Sequence, residues 1–432
     1  MSDFVPTRAA GLSRLQAFLP RAGHYAEERN FDRPGHPTVS RLSPWLQRRL
    51  VTEEEVCEGV ASMHPWAQVE KYQQEVCWRT YWKGWLEHRP AVWQRYRARL
   101  DALRGALPSG YAEAVEGRTG IPGFDHWARE LVATGWLHNH ARMWFASIWV
   151  FTLRLPWELG ADFFWRHLLD ADGASNTLSW RWVAGLHTPG KTYLARADNI
   201  AHYTDGRFDP TGRLAALAEP LSEPALPDPV PLWTPSRTTE ALAGPVGLWL
   251  HPEDLCVESV DFGPEVVPVS IFAAWAEPAA RAWGWSDAVV AFSQAALADG
   301  ASRAALAWDA EVHAVRVADM GTAALAWAEA GGLKSVIALR PAVGPWLEAG
   351  LEIEAALGRA GIELRWYRRA WDSTLYPLSR RGFFSFWQSA AHHVQSRPQS
   401  TAKAIATPQV LPSPLPPTQL VLVSSPPPRR GR

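Results

Sequence analysis

The chain has 432 residues, 47% hydrophobic and 20% charged, with a formal charge of −1, which suits two or three domains and excludes a generally polycationic protein. It has no uncharged apolar run long enough to span a bilayer and no basic-then-apolar start, so a cytoplasmic protein without membrane partners is expected. The three cysteines, Cys57, Cys77 and Cys256, are too widely spaced for a disulfide framework, a zinc ribbon or a four-cysteine iron–sulfur cluster, and no metal site is expected.

Charge is uneven along the chain. Residues 1–210 carry 25 basic against 23 acidic side chains, residues 211–390 carry 13 against 21, and the remainder carries 5 against none. A polyanion would meet the first part or the tail, not the middle.

In chain order, Gly11 to Leu19 reads as a short helix closed by Pro20. Tyr25 and Arg29 precede a Pro/Gly break at 32–37. In Val39-Ser40-Arg41-Leu42-Ser43-Pro44, Ser43 can cap a helix with Pro44 at its first position, and the N–H groups there suit a phosphate as well as an ordinary helix start. Thr52 to Glu58 opens a helix with an acidic first turn. Residues 68–86 predict a longer helix in which Glu75, Trp78, Arg79 and Trp82 share a face.

The stretch from Thr134 to Arg196 holds seven of the 25 tryptophans. Trp136 to Leu155 predicts a helix that is apolar all the way round and therefore buried. Inside it Asn139 and Arg142 share a face, and a buried guanidinium needs a carboxylate, for which Asp170 and Asp172 are the nearest candidates. Asp170-Ala-Asp172-Gly ends a second helix. Asn176, Trp180 and Trp182 follow, and the two tryptophans can flank one planar object.

Pro and Ala dominate 211–244, read as an extended linker. Beyond it, strands expected at 246–250, 266–271, 335–339 and 362–366 alternate with helices at 286–298, 322–330 and 345–359, the pattern of a parallel α/β sheet. That part contains no glycine-rich dinucleotide or P-loop motif. Residues 393–432 are rich in Pro and Ser and end Pro-Pro-Pro-Arg-Arg-Gly-Arg, read as a disordered basic tail.

Thr134-Gly-Trp136-Leu-His138-Asn139-His140-Ala-Arg142-Met143, followed by Asp170-Ala-Asp172, Asn176 and Trp180-Arg-Trp182, resembles the flavin-binding domain of the photolyase and cryptochrome family, with matching spacing throughout. The segments 39–44, 75–79 and Thr119 to Asp125 extend the resemblance. It implies a mainly α-helical FAD-binding domain over 1–210. Gly247 to Leu255 and 361–387 are similar to the start and end of that family's Rossmann-like α/β antenna domain, read here over 245–392. In the family that domain comes first, so the order implies a circular permutation.

The resemblance also implies roles. Tyr25, Ser40, Arg41, Leu42, Ser43, Arg79, Asn139, Arg142, Asp170, Asp172 and Asn176 would hold FAD, with 40–43 at its phosphates, the Arg142–Asp170 pair beside the flavin ring and Asn176 facing its N5. Val39 replaces the family's usual hydroxyl residue, and His140 replaces an arginine. Trp180 and Trp157 match the first two members of an electron-hopping chain. No tryptophan stands at the third place, for which Trp93 and Tyr111 are the candidates. Glu75, Trp78, Asn139, Met143 and Trp182 match the set that faces a cyclobutane pyrimidine dimer. The implied activity is light-dependent DNA repair by a deoxyribodipyrimidine photolyase-like lyase acting on single- or double-stranded DNA with pyrimidine dimers. The alternative is a cryptochrome-like blue-light photoreceptor with a signalling partner and no repair.

Overall fold

The computed structural model describes residues 3–235, 242, 244–395 and 421–422. The first part is helical: α1 Arg8–Phe18, α2 Tyr25–Glu28, α3 Ser43–Gln47, α4 Glu53–Met63, α5 Trp66–Glu87, α6 Ala91–Arg104, α7 Tyr111–Val115, α8 Phe124–Thr134, α9 Asn139–Ser147, α10 Trp157–His167, α11 Gly173–Val183 and α12 Ala197–Tyr203. Local chemistry sets several of these ends. Thr52 and Glu55 form a capping box at the start of α4, satisfying two orphan N–H groups at once. Asp172 caps α11 by accepting the Ser175 N–H. Gly135 ends α8 in the left-handed region, where the Leu169 side chain would lie 2.7 Å from any Cβ. Pro20 does not stop the chain turning; it sits early in a 3-10 segment, Leu19–His24, where its missing N–H costs nothing.

Residues 211–235 run without helix or strand. The second part is a parallel sheet of β1 Val246–Trp249, β2 Pro268–Ala276, β3 Glu311–Val317, β4 Ser335–Leu339 and β5 Glu363–Tyr367, extended by β6 Val421–Leu422, in the order β5-β4-β1-β2-β3-β6. Its helices are α13 Glu277–Trp283, α14 Asp287–Trp308, α15 Met320–Ala330 and α16 Pro345–Arg359, and α17 Ala370–Leu375 and α18 Phe383–Gln395 follow and pack against α5. The molecule is thus a helical unit joined to an α/β unit. Strand β3 was absent from the sequence expectation because its residues, EVHAVRV, interleave charged groups with apolar ones on a mostly exposed strand.

Two expectations for the tail need correction. The tail was expected from 393, yet α18 continues to Gln395, because Phe383, Phe386, Trp387, Ala390 and Val394 repeat at helical spacing and bury one face. Val421 and Leu422 pair in parallel with Val315 and Arg316. Residues 396–420 and 423–432 lie outside the described residues.

The two units are joined tightly. Gly84 of α5 admits the 376–380 turn so closely that a Cβ would fall 2.4 Å from Ser379 Oγ and 2.9 Å from Tyr376 Cα. Trp371 Nε1 donates to Thr80 Oγ1 at 2.9 Å. Arg49 is buried among Glu53 (3.2 Å), Asp254 (3.0 Å) and Asp372 (2.7 Å), and Arg369 grips Asp254 with two bonds of 2.6 and 2.7 Å. Burial opposes the Asp254 charge, but the two guanidiniums outweigh it and hold that carboxyl far below its usual range.

Candidate functional site

Helices α5, α9 and α11 and the 39–43 loop wall a cavity of about 420 Å³, within the roughly 300–1,000 Å³ of cofactor and small-molecule sites. α5 contributes Glu75, Trp78, Arg79 and Trp82, the shared face read from the sequence. α9 contributes Asn139, Arg142 and Met143; α11 contributes Ser175, Asn176, Ser179, Trp180 and Trp182; Tyr25, Ser40, Arg41, Leu42, Ser43 and Asp170 complete the predicted set on the wall.

The helix expected over 136–155 and buried all round is instead α9 followed by a π-helical turn, Ile148–Thr152, with Arg154 in the left-handed region. One of its stripes is open. Asn139 is exposed and the Arg142 side chain keeps 24% exposure, because this stripe looks into the cavity. The polar residues of an otherwise apolar helix are accounted for by that hollow.

Of the two candidate carboxylates, Asp170 is the partner of Arg142: Nη2 donates to Oδ2 at 2.9 Å, and Nε donates to the Leu137 carbonyl at 3.0 Å. Burial opposes ionisation of Asp170, but Arg142 and Arg79 outweigh it and keep the carboxyl below the usual carboxylate range. Asp172 is not on the cavity wall. It caps α11 at 2.6 Å and pairs with Arg79, so it sets the helix and the arginine that do face the cavity.

In the 39–43 loop Ser43 is not the cap. Leu42 holds that place without a side-chain bond, while Ser43 opens α3 and its Oγ accepts from Trp136 Nε1 at 3.1 Å. Arg41 adopts a left-handed φ of 56°, donates to Asp3 at 3.0 Å and lies over the Phe4 and Trp136 rings at 4.9 and 5.2 Å. Asn176 Nδ2 donates to the Ala161 carbonyl at 2.7 Å, fixing the amide.

Glu75 is held by Arg29 and by Lys71 at 3.2 Å. Trp78 and Trp182 each have a ring behind them. Phe383 of α18 stacks on Trp78 at 3.6 Å and 7°, and Tyr193 stacks on Trp182 at 5.8 Å and 27°. Neither backing ring was read from the sequence as a site residue; Phe383 lies far along the chain from Trp78, with the aromatic run at 383–387 as its only local signal, while Tyr193 follows Trp182 within the same segment. His140 bridges the Asn30 carbonyl (3.0 Å) and the Tyr193 hydroxyl (3.1 Å), and burial pushes it down to about 4. It is therefore neutral near pH 7 and does not supply the charge of the arginine it replaces.

Trp180 is on the wall; Trp157 is not, and stacks on Tyr96 at 5.6 Å. Tyr111 is turned elsewhere, against Trp149 and with its hydroxyl accepting from Arg166 at 2.7 Å. Among the described residues no helix is long and apolar enough to cross a membrane, and no three His, Cys, Asp or Glu side chains are grouped to hold a metal ion.

Buried polar atoms on the cavity wall, among them Ser175 Oγ, Arg41 Nε and Trp180 Nε1, have no hydrogen-bond partner among the described residues. Such atoms call for a polar ligand. Residues 72–216 match the family model described as the FAD binding domain of DNA photolyase. A deoxyribodipyrimidine photo-lyase of Thermus thermophilus is 37% identical over 219 residues, covering 48% of this chain and 49% of its own. One from Escherichia coli is 30% identical over 201 residues, covering 45% and 42%. Cryptochrome-1 of Arabidopsis thaliana is 43% identical over 108 residues, covering 25% of this chain and 16% of its own. A crystal structure of a bacterial class III photolyase from Agrobacterium tumefaciens aligns at a TM-score of 0.39 and 26% identity, covering 46% of this chain and 42% of that one. The chain thus spans about half the length of the curated relatives it matches.

Fold and cavity together define a helical domain that binds flavin adenine dinucleotide. Through this domain the chain is similar to deoxyribodipyrimidine photo-lyases and to a cryptochrome.

Proposed function

We propose that the chain is a light-dependent DNA-repair lyase acting on cyclobutane pyrimidine dimers. FAD, when bound and reduced, supplies an electron under blue light and takes it back once the dimer has split. The supporting observation is that one cavity wall carries both the predicted flavin-holding residues and Glu75, Trp78, Asn139, Met143 and Trp182.

Each group has a task on this reading. The Arg142–Asp170 pair presents a fixed guanidinium beside the ring, neutralised enough to stay in place without flavin. Asn176, its Nδ2 committed to Ala161, offers Oδ1 as an acceptor, and its neutrality avoids repelling an anionic ring. Trp78 and Trp182, stiffened by Phe383 and Tyr193, give apolar faces to bases turned out of the stack, an extrusion that costs a few kcal/mol. Glu75 accepts hydrogen bonds from the pyrimidine N–H edges, and Asn139 can donate to their carbonyls.

The test is loss of thymine dimers from an irradiated oligonucleotide mixed with purified, chemically reduced protein, in blue light against darkness. Repair in the light alone is expected. A flavin-loaded protein that repairs nothing would sink the reading and favour the second one, a cryptochrome-like photoreceptor, to which the 43% local identity to cryptochrome-1 lends support. We further propose that residues 245–392 are a permuted counterpart of the family's antenna domain. A chain re-permuted to place them first should fold and bind flavin as well as this one; failure to do so counts against it.

A further inference from the structure

A second hollow, a groove of about 380 Å³, lies along α1, within the size range of small-molecule sites. Its shape follows from the helix. Ala10, Arg14, Ala17 and Arg21 recur at four- and three-residue steps, so they run along one side of α1 and the 3-10 segment after it, and all four line the groove. The two alanines are too short to fill the space between the two arginines. Val5 and Trp45 complete the apolar lining. Trp45 Nε1 donates to the Val5 carbonyl at 2.9 Å, which ties the chain ahead of the helix into place.

The charges here are out of balance. Arg8, earlier on the same helix, is paired with Glu55. Among the described residues Arg14 and Arg21 have no carboxylate partner and lie over aromatic faces instead, Arg14 over Trp45 and Phe4 at 5.6 and 5.9 Å and Arg21 over Phe18 at 5.8 Å. The neighbouring Arg41 spends its guanidinium on Asp3 at 3.0 Å, and that carboxylate is 66% exposed. Burial and the nearby Arg41 and Arg21 press the pKa of Arg14 down, with Asp3 opposing them. Three guanidiniums thus share one solvated carboxylate. A half-buried guanidinium crowded by its own kind gains most from an anion.

We propose that this groove is a second ligand site and that it takes a small, flat-bodied anion of at least two charges, the chemistry of a nucleoside diphosphate. The planar forks of Arg14 and Arg21 suit pairs of phosphate oxygens, and the exposed Ser13 adds a hydroxyl donor on the same side. The slot lined by Val5, Ala10 and Ala17 gives the base an apolar surface. A small anion fits better than a nucleic-acid strand, which would need a longer cationic track than two free arginines and would meet the exposed Asp3 at the mouth. The groove is separate from the first cavity but touches it through Arg41, which is on the wall of that cavity and bonded to Asp3 of this one. The proposal does not rest on the repair reading.

Titration calorimetry tests it on the full chain saturated with FAD, so that the first cavity is already filled, with ADP as the probe and adenosine and a short oligonucleotide beside it. ADP should bind to a single site, more tightly than adenosine, and more weakly as salt is raised. Arg14→Gln and Arg21→Gln should each weaken ADP about tenfold, the worth of one charge-assisted hydrogen bond, while FAD content stays at the wild-type level. Arg359→Gln, at an exposed arginine of the second unit, should leave ADP binding unchanged. Wild type without saturable ADP binding below about 1 mM, ADP bound no more tightly than adenosine, or wild-type ADP affinity in both groove variants would overturn the proposal. An oligonucleotide that binds more tightly than ADP and weakens in the same variants would overturn it too, by making the groove a nucleic-acid contact. If Arg14→Gln fails to hold FAD, the exposed Arg21 decides alone.

Discussion

Replacing Asp170 with alanine should uncouple flavin from a protein that still folds. The carboxylate is 1% exposed and sits 2.9 Å from Arg142, which keeps 24% exposure. Two unit charges about 4 Å apart in the effective dielectric of a protein attract by roughly 4 kcal/mol. Water entering the cavity, together with the surviving bond from Arg142 to the Leu137 carbonyl, offsets about half of that loss, leaving a net cost of about 2 kcal/mol. If this falls on the bound state, because a guanidinium without its partner no longer holds its place, the flavin Kd rises about 30-fold. The assay is titration of apoprotein with FAD, read by quenching of flavin fluorescence, beside urea unfolding of the same sample to separate binding from folding. Asp170→Ala with wild-type flavin stoichiometry and a Kd within about threefold of wild type would refute the reasoning, since Asp170 would then matter to neither charge balance nor geometry.

Gly160→Ala places a Cβ 2.3 Å from the Trp180 ring and 3.0 Å from Trp149; overpacking between rigid buried rings should cost about 1–3 kcal/mol, and an unchanged urea midpoint would contradict it. Arg49→Met removes the cation shared by Glu53, Asp254 and Asp372 and should cost about 3–5 kcal/mol, read in the same unfolding assay; a loss below about 1 kcal/mol would mean the cluster is solvated. Burial drives His138 and His187 down to about 3 and His140, His167 and His251 to about 4, whereas each titrates near 6.5 when unfolded. Below that value the unfolded chain binds more protons, so stability is full above about pH 6.5 and falls as pH drops toward 4, by up to about 1.4 kcal/mol per pH unit for each histidine. Urea midpoints that stay flat between about pH 7 and about pH 5 would contradict this burial.

The parts legible in the sequence were those written at short range. Glu75, Trp78, Arg79 and Trp82 lie on the cavity because helical spacing puts them on one face, and Asn139 and Arg142 do so for the same reason. The β-rich alternation after residue 245 announced a parallel sheet. What stayed hidden depended on distant partners. Nothing local distinguishes Asp170 from Asp172, yet one pairs with Arg142 and the other caps a helix behind Arg79. Ser43 has a capping residue's chemistry but gives its oxygen to Trp136. Trp136 to Leu155 looked uniformly buried because periodicity reports apolarity, and a hollow in the core leaves no mark on the average.

The stack of Phe383 on Trp78 also bears on how this protein can be cut or reshaped. A shortened version ending before the sheet would keep every residue on the cavity wall and still lose the plate that holds one of its aromatic faces flat. It would also leave Arg49 with only Glu53, expose the groove at Gly84 that takes the 376–380 turn, and strip Trp93 of the Glu348 carboxylate. The second unit is thus a working part of the first one's pocket, and a minimal flavin-binding protein built from this scaffold must carry residues 370–395 with it.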